Sequence, residues 1–201
     1  MVDKAVVHVI DDDEAVRDSL AFLLDVNGYK AEAFETSNAF LSKTVESSPA
    51  CIVSDIRMPG MNGIELVRRL KSDGVTCPVI LITGHGDVAL AVEAMKAGAV
   101  DFIEKPFDDT VLLSAIRAAL DARPAQSESA ARTDAEARLS ELSPRERDVL
   151  QGLVAGKINK VIAHGLNISP RTVEVYRANL MAKTGARSMS DLMRIALAAG
   201  L

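Results

Sequence analysis

The sequence predicts two modules: an α/β domain with a doubly wound five-stranded parallel sheet, then a small all-α domain. Through residues 1–123, short apolar strands alternate with amphipathic helices, the pattern of a parallel sheet covered on both faces. Residues 139–201 show four capped helical segments and no strand pattern. They carry nine Lys and Arg against five Asp and Glu, a net charge of +4, whereas residues 1–138 carry fourteen against twenty-three, a net charge of −9. The basic part is therefore where a polyanionic partner is expected.

The composition is that of a globular chain. Its 201 residues are 48% hydrophobic and 25% charged, which suits two small domains and excludes a disordered chain. No apolar run approaches the roughly 18 residues of a membrane span, and acids follow the first apolar residues where a secretory signal would continue. We therefore expect a cytoplasmic protein with no membrane partner. Cys51 and Cys77 are interpreted as reduced core thiols, with a redox role as the lesser alternative.

The strands of the first domain are short β-branched or apolar runs. They are predicted at Val6–Ile10, Tyr29–Phe34, Cys51–Ser54, Pro78–Ile82 and Val100–Ile103. Helices are predicted between and after them, at Glu14–Asn27, Asn38–Lys43, Ile64–Lys71, Val88–Ala97 and from Asp109 to about Arg123. Thr36 and Asp87 are expected to cap two of these helices.

Polar residues follow four of these strands, at the points where ligands bind in parallel sheets. Asp11 and Asp12 follow the first strand, Asp55 the third, Thr83 the fourth and Lys105 the fifth. Each alone could be a helix cap, a turn hydroxyl or a surface lysine. Together, three converging carboxylates require a cation, and oxygen ligands favour Mg²⁺ or Mn²⁺. The hydroxyl and ammonium groups suit a phosphoryl group carried by Asp55, because aspartate can act as a nucleophile that forms an acyl phosphate.

This pattern, DD at 11–12, D at 55, T at 83 and KP at 105–106, resembles the receiver domain of two-component response regulators. The resemblance implies a flavodoxin-like fold and phosphorylation of Asp55 by a sensor histidine kinase. It implies that Asp12, Asp55 and the backbone carbonyl of Arg57 hold Mg²⁺, with Asp11 nearby, and that the Lys105–Pro106 bond is cis. Thr83 and Phe102 are then the residues that switch on phosphorylation.

The segment GHGDVALAVEAMKAGAVDFIEKPF, residues 84–107, is similar to the FixJ branch of that family. This similarity implies nitrogen-fixation or microaerobic target genes. It also implies a chain that is largely monomeric until phosphorylated and then dimerises, with Val88–Ala97 and Val100–Ile103 as the candidate dimer face.

Residues 124–138 are predicted to be a linker. They are rich in Ala, Ser and Glu and contain no large apolar residue, so we expect a connector and not a core. Ala and Glu favour helix and Gly is absent, which indicates a partly helical spacer.

The basic module, residues 139–201, has strong helix signals. Ser143-Pro144 with Glu146 forms a capping box that starts a helix ending near Ala155. Asn159–His164 is a second helix, separated by a turn around Gly165 from a third that runs from Ser169-Pro170 to about Lys183. Ser190 is expected to cap a fourth, Asp191–Ala199. Two helices joined by a tight turn are the helix-turn-helix arrangement, whose second helix enters the major groove.

The third of these helices predicts the base-reading side chains. Val173, Tyr176 and Leu180 lie on one face and should pack in the core. Val175 points away from them and suits a thymine methyl group, while Glu174 suits a cytosine amino group; the alternative is that both are merely solvated. The other side chains expected at the DNA surface are Lys157, Asn159, Lys160, Arg171, Thr172, Arg177, Ala178 and Lys183.

Residues 142–198 resemble the LuxR-type helix-turn-helix, through SPRERDVL, NKVIA, ISPRTVEVYR and MAKTGARS. The resemblance implies promoter DNA and RNA polymerase as partners and pairing of two copies through the last helix. The leading hypothesis is a phosphorylation-switched transcription regulator. It is not an enzyme beyond gaining and losing its own phosphate. The alternatives are a phosphate sink and a ligand-sensing regulator of the LuxR type that ignores phosphate.

Overall fold

A five-stranded parallel sheet forms the first part of the molecule. The computed structural model describes residues 4–43, 50–84, 88–121 and 128–201. The strands are β1 Val6–Ile10, β2 Lys30–Phe34, β3 Cys51–Asp55, β4 Val79–Thr83 and β5 Asp101–Glu104. They lie in the order β2-β1-β3-β4-β5, and every pairing is parallel. The strand order reverses between β1 and β3, which places the expected ligand crevice beyond their carboxyl ends.

Ten helices are described. The first five are α1 Glu14–Val26, α2 Ser37–Ser42, α3 Gly63–Ser72, α4 Val88–Ala97 and α5 Asp109–Asp121. The second five are α6 Glu128–Ser140, α7 Pro144–Val154, α8 Asn159–Leu166, α9 Pro170–Thr184 and α10 Met189–Ala198. The predicted fold class, a parallel α/β sheet followed by a helical region, is confirmed. Within the described ranges no helix is long and apolar enough to cross a membrane.

The chain divides into two units, of which the first holds the sheet with α1, α2, α3 and α5. On one face of the sheet, Val9 of β1 and Val53 of β3 are buried with Leu24 of α1 and Ile116 of α5. This apolar layer fixes the strands, and so their carboxyl ends, in register. The side chain of Asp13 caps α1 by accepting from the amide of Ala15 at 2.9 Å.

The second unit holds α6 to α10 together with Val88–Lys96 of α4. Its apolar core contains Leu150 and Leu153 of α7, Val173 and Leu180 of α9 and Leu192 of α10. Val92 and Met95 of α4, which belong to the segment expected to form a dimer face, are buried in the same cluster. The capping box of Ser143 and Glu146 at the start of α7 is confirmed.

Some sequence predictions need correction or lie outside the described residues. Ser190 does not cap the last helix: Ser188 does, by accepting from the amide of Asp191 at 3.1 Å, and Ser190 is buried in the first turn. Ala135, in the predicted linker, is buried in the core of the second unit because α6 packs along α9 and α10. The predicted cap Asp87 and the first residues of the predicted linker are outside the described residues.

Candidate functional site

Asp55 lies at the carboxyl end of β3 with both carboxylate oxygens engaged. Its Oδ1 accepts from the Lys105 ammonium at 2.8 Å, and its Oδ2 accepts from the backbone N–H of Arg57 at 2.6 Å. The residue is buried. The first residue of α3, Gly63, sits so close that a Cβ there would be 2.4 Å from the backbone oxygen of Asp55. Glycine is therefore needed for α3 to approach the end of β3.

Asp11 presents a second buried carboxylate at the end of the neighbouring strand β1. Its Oδ2 accepts from the Lys105 ammonium at 2.9 Å, and its Oδ1 accepts from the backbone N–H of Asp13 at 3.0 Å. The guanidinium of Arg17 donates to the backbone oxygen of Asp11 at 2.8 Å. These bonds hold the turn after β1, so that the Asp11 carboxylate faces Lys105 and Asp55.

Lys105 reaches these carboxylates from the end of β5. Its backbone N–H donates to the backbone oxygen of Thr83 at 2.7 Å, and the bond to Pro106 is cis, as expected. Burial lowers the pKa of Lys105, but hydrogen bonds to Asp55 and Asp11 outweigh burial and leave that pKa above its ordinary value. One cation thus serves two buried anions, and the three groups keep a net negative charge.

The remaining predicted residues differ in how far they are buried. Asp12 is exposed beside Asp11, and Thr83 is buried at the end of β4. Phe102 is half-buried on β5. Arg57 touches Asp55 through its backbone N–H, whereas the sequence singled out its carbonyl. Within the described residues, no group of three or more His, Cys, Asp and Glu side chains is arranged as a metal site.

The second candidate site is the surface of α8 and α9. Asn167 ends α8 in the left-handed conformation, with φ of 56°, and Ser169 caps α9 by accepting from the amide of Thr172 at 3.1 Å. The sequence predicted the turn at residues 165–168, of which Gly165 and Leu166 instead belong to α8. Asparagine tolerates the left-handed region that this turn requires. The turn holds α8 and α9 in a helix-turn-helix arrangement.

The two faces of α9 follow the prediction. Val173 and Leu180 are fully buried, and Tyr176 packs against the same core. Val175 is 55% exposed, and Glu174 and Ala178 are exposed. The side chains predicted to read bases therefore lie on the exposed side of α9, opposite its buried face.

The basic side chains differ in whether they bond another side chain of the protein. Lys157, Lys160 and Arg171 are exposed, and no ion pair involves them within the described ranges. Arg177 donates to the side-chain oxygen of Asn159 at 3.2 Å, so these two residues link α9 to α8. Lys183 donates to the carboxylate of Glu146 at 2.8 Å.

Glu146 is the residue whose second partner the sequence did not predict. The capping box explained its bond to the N–H of Ser143, at 2.7 Å, but not its ion pair with Lys183. Because 37 positions separate these residues, only the packing of α7 against α9 brings them together. No local sequence pattern carries that information.

Two known families match the chain, one over each part. The response regulator receiver domain family matches residues 7–117, and the family of bacterial regulatory proteins of the luxR type matches residues 140–196. These two ranges contain all the candidate site residues of the sheet and of the helical surface, respectively.

Individual relatives match along nearly the whole chain. The transcriptional regulatory protein FixJ of Bradyrhizobium diazoefficiens is 52% identical over 202 residues, covering 100% of this chain and 98% of that protein. The FixJ protein of Rhizobium meliloti is 53% identical over 195 residues, covering 96% of each chain. A crystal structure of full-length FixJ from B. japonicum is similar with a TM-score of 0.55, at 53% identity and 98% coverage of both chains.

Proposed function

Since the chain belongs to the FixJ-like two-component response regulators, which join a receiver domain to a LuxR-type DNA-binding domain, we propose that Asp55 is its phosphoryl acceptor. The observation that carries this proposal is the position of the Lys105 ammonium, bonded to both Asp55 and Asp11 beyond the strand ends. A cation held there offsets the negative charge that Asp55 gains when a phosphoryl group is attached.

The proposed transfer is an in-line displacement at phosphorus. A carboxylate oxygen of Asp55 attacks the phosphorus of a phosphorylated histidine, the P–N bond breaks and the imidazole leaves, giving an acyl phosphate on Asp55. Attack of the same oxygen on a small acyl phosphate would break its P–O bond and release a carboxylate, which gives self-phosphorylation. Attack of water on the aspartyl phosphate would release inorganic phosphate and restore the Asp55 carboxylate. Lys105 stabilises the charge in each case, because its ammonium is already within hydrogen-bonding distance of Asp55.

The donor chemistry of the site fits a hard divalent cation, Mg²⁺ or Mn²⁺. Two buried carboxylates share one ammonium, so negative charge remains to be balanced, and oxygen ligands suit these ions. Asp11, Asp12, Asp55 and the backbone carbonyl of Arg57 would hold the ion. When bound, it would offset charge on the carboxylate and phosphoryl oxygens.

Thr83 and Phe102 are proposed to transmit the modification. The Thr83 hydroxyl lies at the strand end next to Asp55, since Asp55 pairs with the residue before it in β4. We expect this hydroxyl to bond a phosphoryl oxygen and Phe102 to turn inward. The domain boundaries, 1–123 and 139–201 with a linker at 124–138, are likewise proposed, and the two family matches support them.

On the helical surface we propose that different side chains contact the DNA phosphates and the base edges. Lys157, Lys160, Arg171 and Arg177 contact phosphates, while Glu174, Val175 and Ala178 face base edges and Thr172 supports the start of α9. Exposure of six of these side chains supports the assignment, and Thr172 and Arg177 are partly exposed. Asn159 and Lys183 belong to this surface through their bonds to Arg177 and Glu146.

The family implies a sensor histidine kinase and promoter DNA as partners. RNA polymerase as a further partner, dimerisation on phosphorylation and a cytoplasmic location are proposals that rest on the same resemblance. The similar FixJ proteins are named transcriptional regulatory proteins, and regulation of nitrogen-fixation or microaerobic genes is the output we propose. A phosphate sink explains the triad but not the exposed Val175, so it is the second candidate.

Treatment of the full chain with a small acyl phosphate and Mg²⁺ tests the proposal. We expect one added phosphoryl group by intact mass, a shift toward dimer by light scattering and DNA affinity increased by about five- to 150-fold, the usual range for coupled sites. Asp55→Asn should gain no phosphoryl group and show neither change. A variant that still responds to the donor as the wild type does would refute the role of Asp55. Phosphorylation without any change in DNA binding would favour the phosphate sink.

A further inference from the structure

The last turn of α9 is bonded by side chains of two neighbouring helices, α7 and α6. The Lys183 ammonium lies 2.8 Å from Oε2 of Glu146, and the guanidinium of Arg138 on α6 donates to the backbone oxygen of Thr184 at 3.4 Å. The Thr184 hydroxyl donates back to the Leu180 oxygen at 2.7 Å. Two neighbouring helices therefore hold the carboxyl end of α9.

The partner of Lys183 is a buried carboxylate. The Glu146 side chain is 4% exposed, against 39% for Lys183. The same Oε2 atom accepts from the N–H of Ser143 at 2.7 Å, which closes the first turn of α7. The hydrogen bond from Lys183, followed by that from Ser143, keeps the pKa of Glu146 below its ordinary value. A buried anion that lost its cation would be left unpaired, so this bond resists exchange for a phosphate.

We propose that Lys183 is a positioning residue that sets the orientation of α9 through Glu146, and not a phosphate contact. The proposal rests on the DNA-binding function and assigns a cause to its sequence selectivity. Lys183 lies about two turns beyond Val175 along α9, so a small rotation of the anchored end displaces the base-reading side chains at the other. Lys160, which is exposed and unpaired in the described part of the chain, provides the matched contrast.

The salt dependence of binding separates the two roles. A lysine that contacts a phosphate displaces a counterion from the DNA. Log affinity falls as log salt rises, and loss of this lysine makes the fall less steep, lowering the magnitude of the slope by about 0.9. A lysine that positions a helix does not change this slope. Its loss should instead reduce the ratio of affinities for cognate and scrambled duplexes, because the base-reading side chains are displaced while the phosphate contacts remain.

The experiment uses the full chain, treated with acyl phosphate and Mg²⁺. Its probes are a duplex that the wild type selects from a random-sequence pool and a scrambled duplex of the same composition. We expect Lys183→Met to keep the wild-type slope and to lower the affinity ratio by about tenfold, the order of one mismatched base pair. Lys160→Met should lower the slope by about 0.9 and leave the ratio unchanged. Lys183→Arg should restore the ratio, because a guanidinium can bond the same carboxylate.

Glu146→Gln distinguishes the two roles by which quantity changes, the affinity for both duplexes or the ratio between them. It removes a negative charge and frees Lys183, so a phosphate-contacting Lys183 would bind both duplexes more tightly. Positioning predicts instead that the ratio falls as it does in Lys183→Met. Thermal unfolding of every variant shows that the molecules compared are folded, and loss of stability alone does not change an affinity ratio.

Each outcome is informative. A lowered slope with an unchanged ratio in Lys183→Met overturns the proposal, and so does a variant that changes neither quantity. If the wild type selects no sequence from the pool, the DNA-reading function itself fails, which is distinguishable because all variants would then behave alike.

Discussion

The site at the strand ends and the surface of α8 and α9 use charge in opposite ways. At the strand ends, Asp11 and Asp55 are buried and share the single ammonium of Lys105. On the helical surface, Lys157 and Lys160 are exposed and hold no ion pair within the described residues. The first arrangement keeps charge inside the protein, with two carboxylates for one ammonium. The second leaves charge in water, where it can replace the counterions of a polyanion.

This difference predicts where substitutions are costly. Buried charges depend on their partners, because an unpaired ion in the interior loses hydration without compensation. Exposed charges gain little from the fold and cost little when removed. The Glu146–Lys183 pair lies between these limits, since one partner is buried and the other half-exposed.

The largest effect on stability is expected for Lys105→Met. It leaves the Asp11 and Asp55 carboxylates without a cation, and we expect a loss of about 2–4 kcal/mol in the free energy of unfolding at neutral pH, close to the range for broken buried pairs. Urea unfolding measures it, with Lys160→Met as the control, which should stay within about 0.5 kcal/mol of the wild type. A Lys105→Met protein as stable as the wild type would show that the two carboxylates do not need this cation.

His8 is a buried titratable side chain that, unlike Asp11 and Asp55, has no cation bonded to it in the described residues. His8 of β1 is buried between the rings of Phe34 and Phe40, with centroids at 5.3 and 5.5 Å. Its Nε2 lies 3.4 Å from a carboxylate oxygen of Glu32, yet neither ring nitrogen makes a hydrogen bond within the described residues. Burial lowers the pKa of His8, opposed by the charge of Glu32 and aided by Lys43 and then Lys30. The ring is therefore neutral when the protein is folded.

Stability should consequently fall in acid through His8. Its pKa is lower in the folded chain than the value of about 6.5 in the unfolded chain, so the unfolded chain binds the proton first as pH falls. This loss of stability is absent above that pH and grows as the pH drops below it. We expect His8→Leu to unfold with a weaker pH dependence below about pH 6.5, measured by urea unfolding across pH. Parallel pH profiles for the two proteins would contradict a neutral buried His8.

The comparison also shows what the sequence could predict. The strand-end residues were predictable because a parallel sheet brings its carboxyl ends together whatever the loop lengths, so Asp11, Asp55 and Lys105 met as expected. The exposure of Val175 followed from helical periodicity. The partner of Glu146 did not follow from any spacing, since it depends on how α7 packs against α9. The buried Ala135 of α6 was missed for the same reason: alanine composition does not distinguish a solvated helix from one that packs.

The cap of α10 shows a limit of local signals. Ser188 and Ser190 are both good caps, and either could begin the helix. In the structure Ser188 caps it, while the Arg187 N–H donates to the Asp191 carboxylate at 3.0 Å. The Asp191 carboxylate thus binds the backbone just before the cap, on the amino side of Ser188. Burial of Ser190 against the core then fixes the register of α10.

The smallest expected effect is that of Val175→Ala on sequence preference, and it distinguishes contacts to bases from contacts to phosphates. Val175→Ala removes an exposed side chain, so it should leave the free energy of unfolding within about 0.5 kcal/mol of the wild type. If Val175 meets a thymine methyl group, its loss should lower preference at one base pair by about 1 kcal/mol, roughly fivefold. Lys160→Ala should weaken binding to all duplexes equally, because phosphates carry no sequence information. Selection from a random-sequence pool, read as base frequencies at each position, measures both. Equal and sequence-independent losses from the two variants would remove Val175 from the base-reading set and leave α9 as a surface that binds DNA by charge alone.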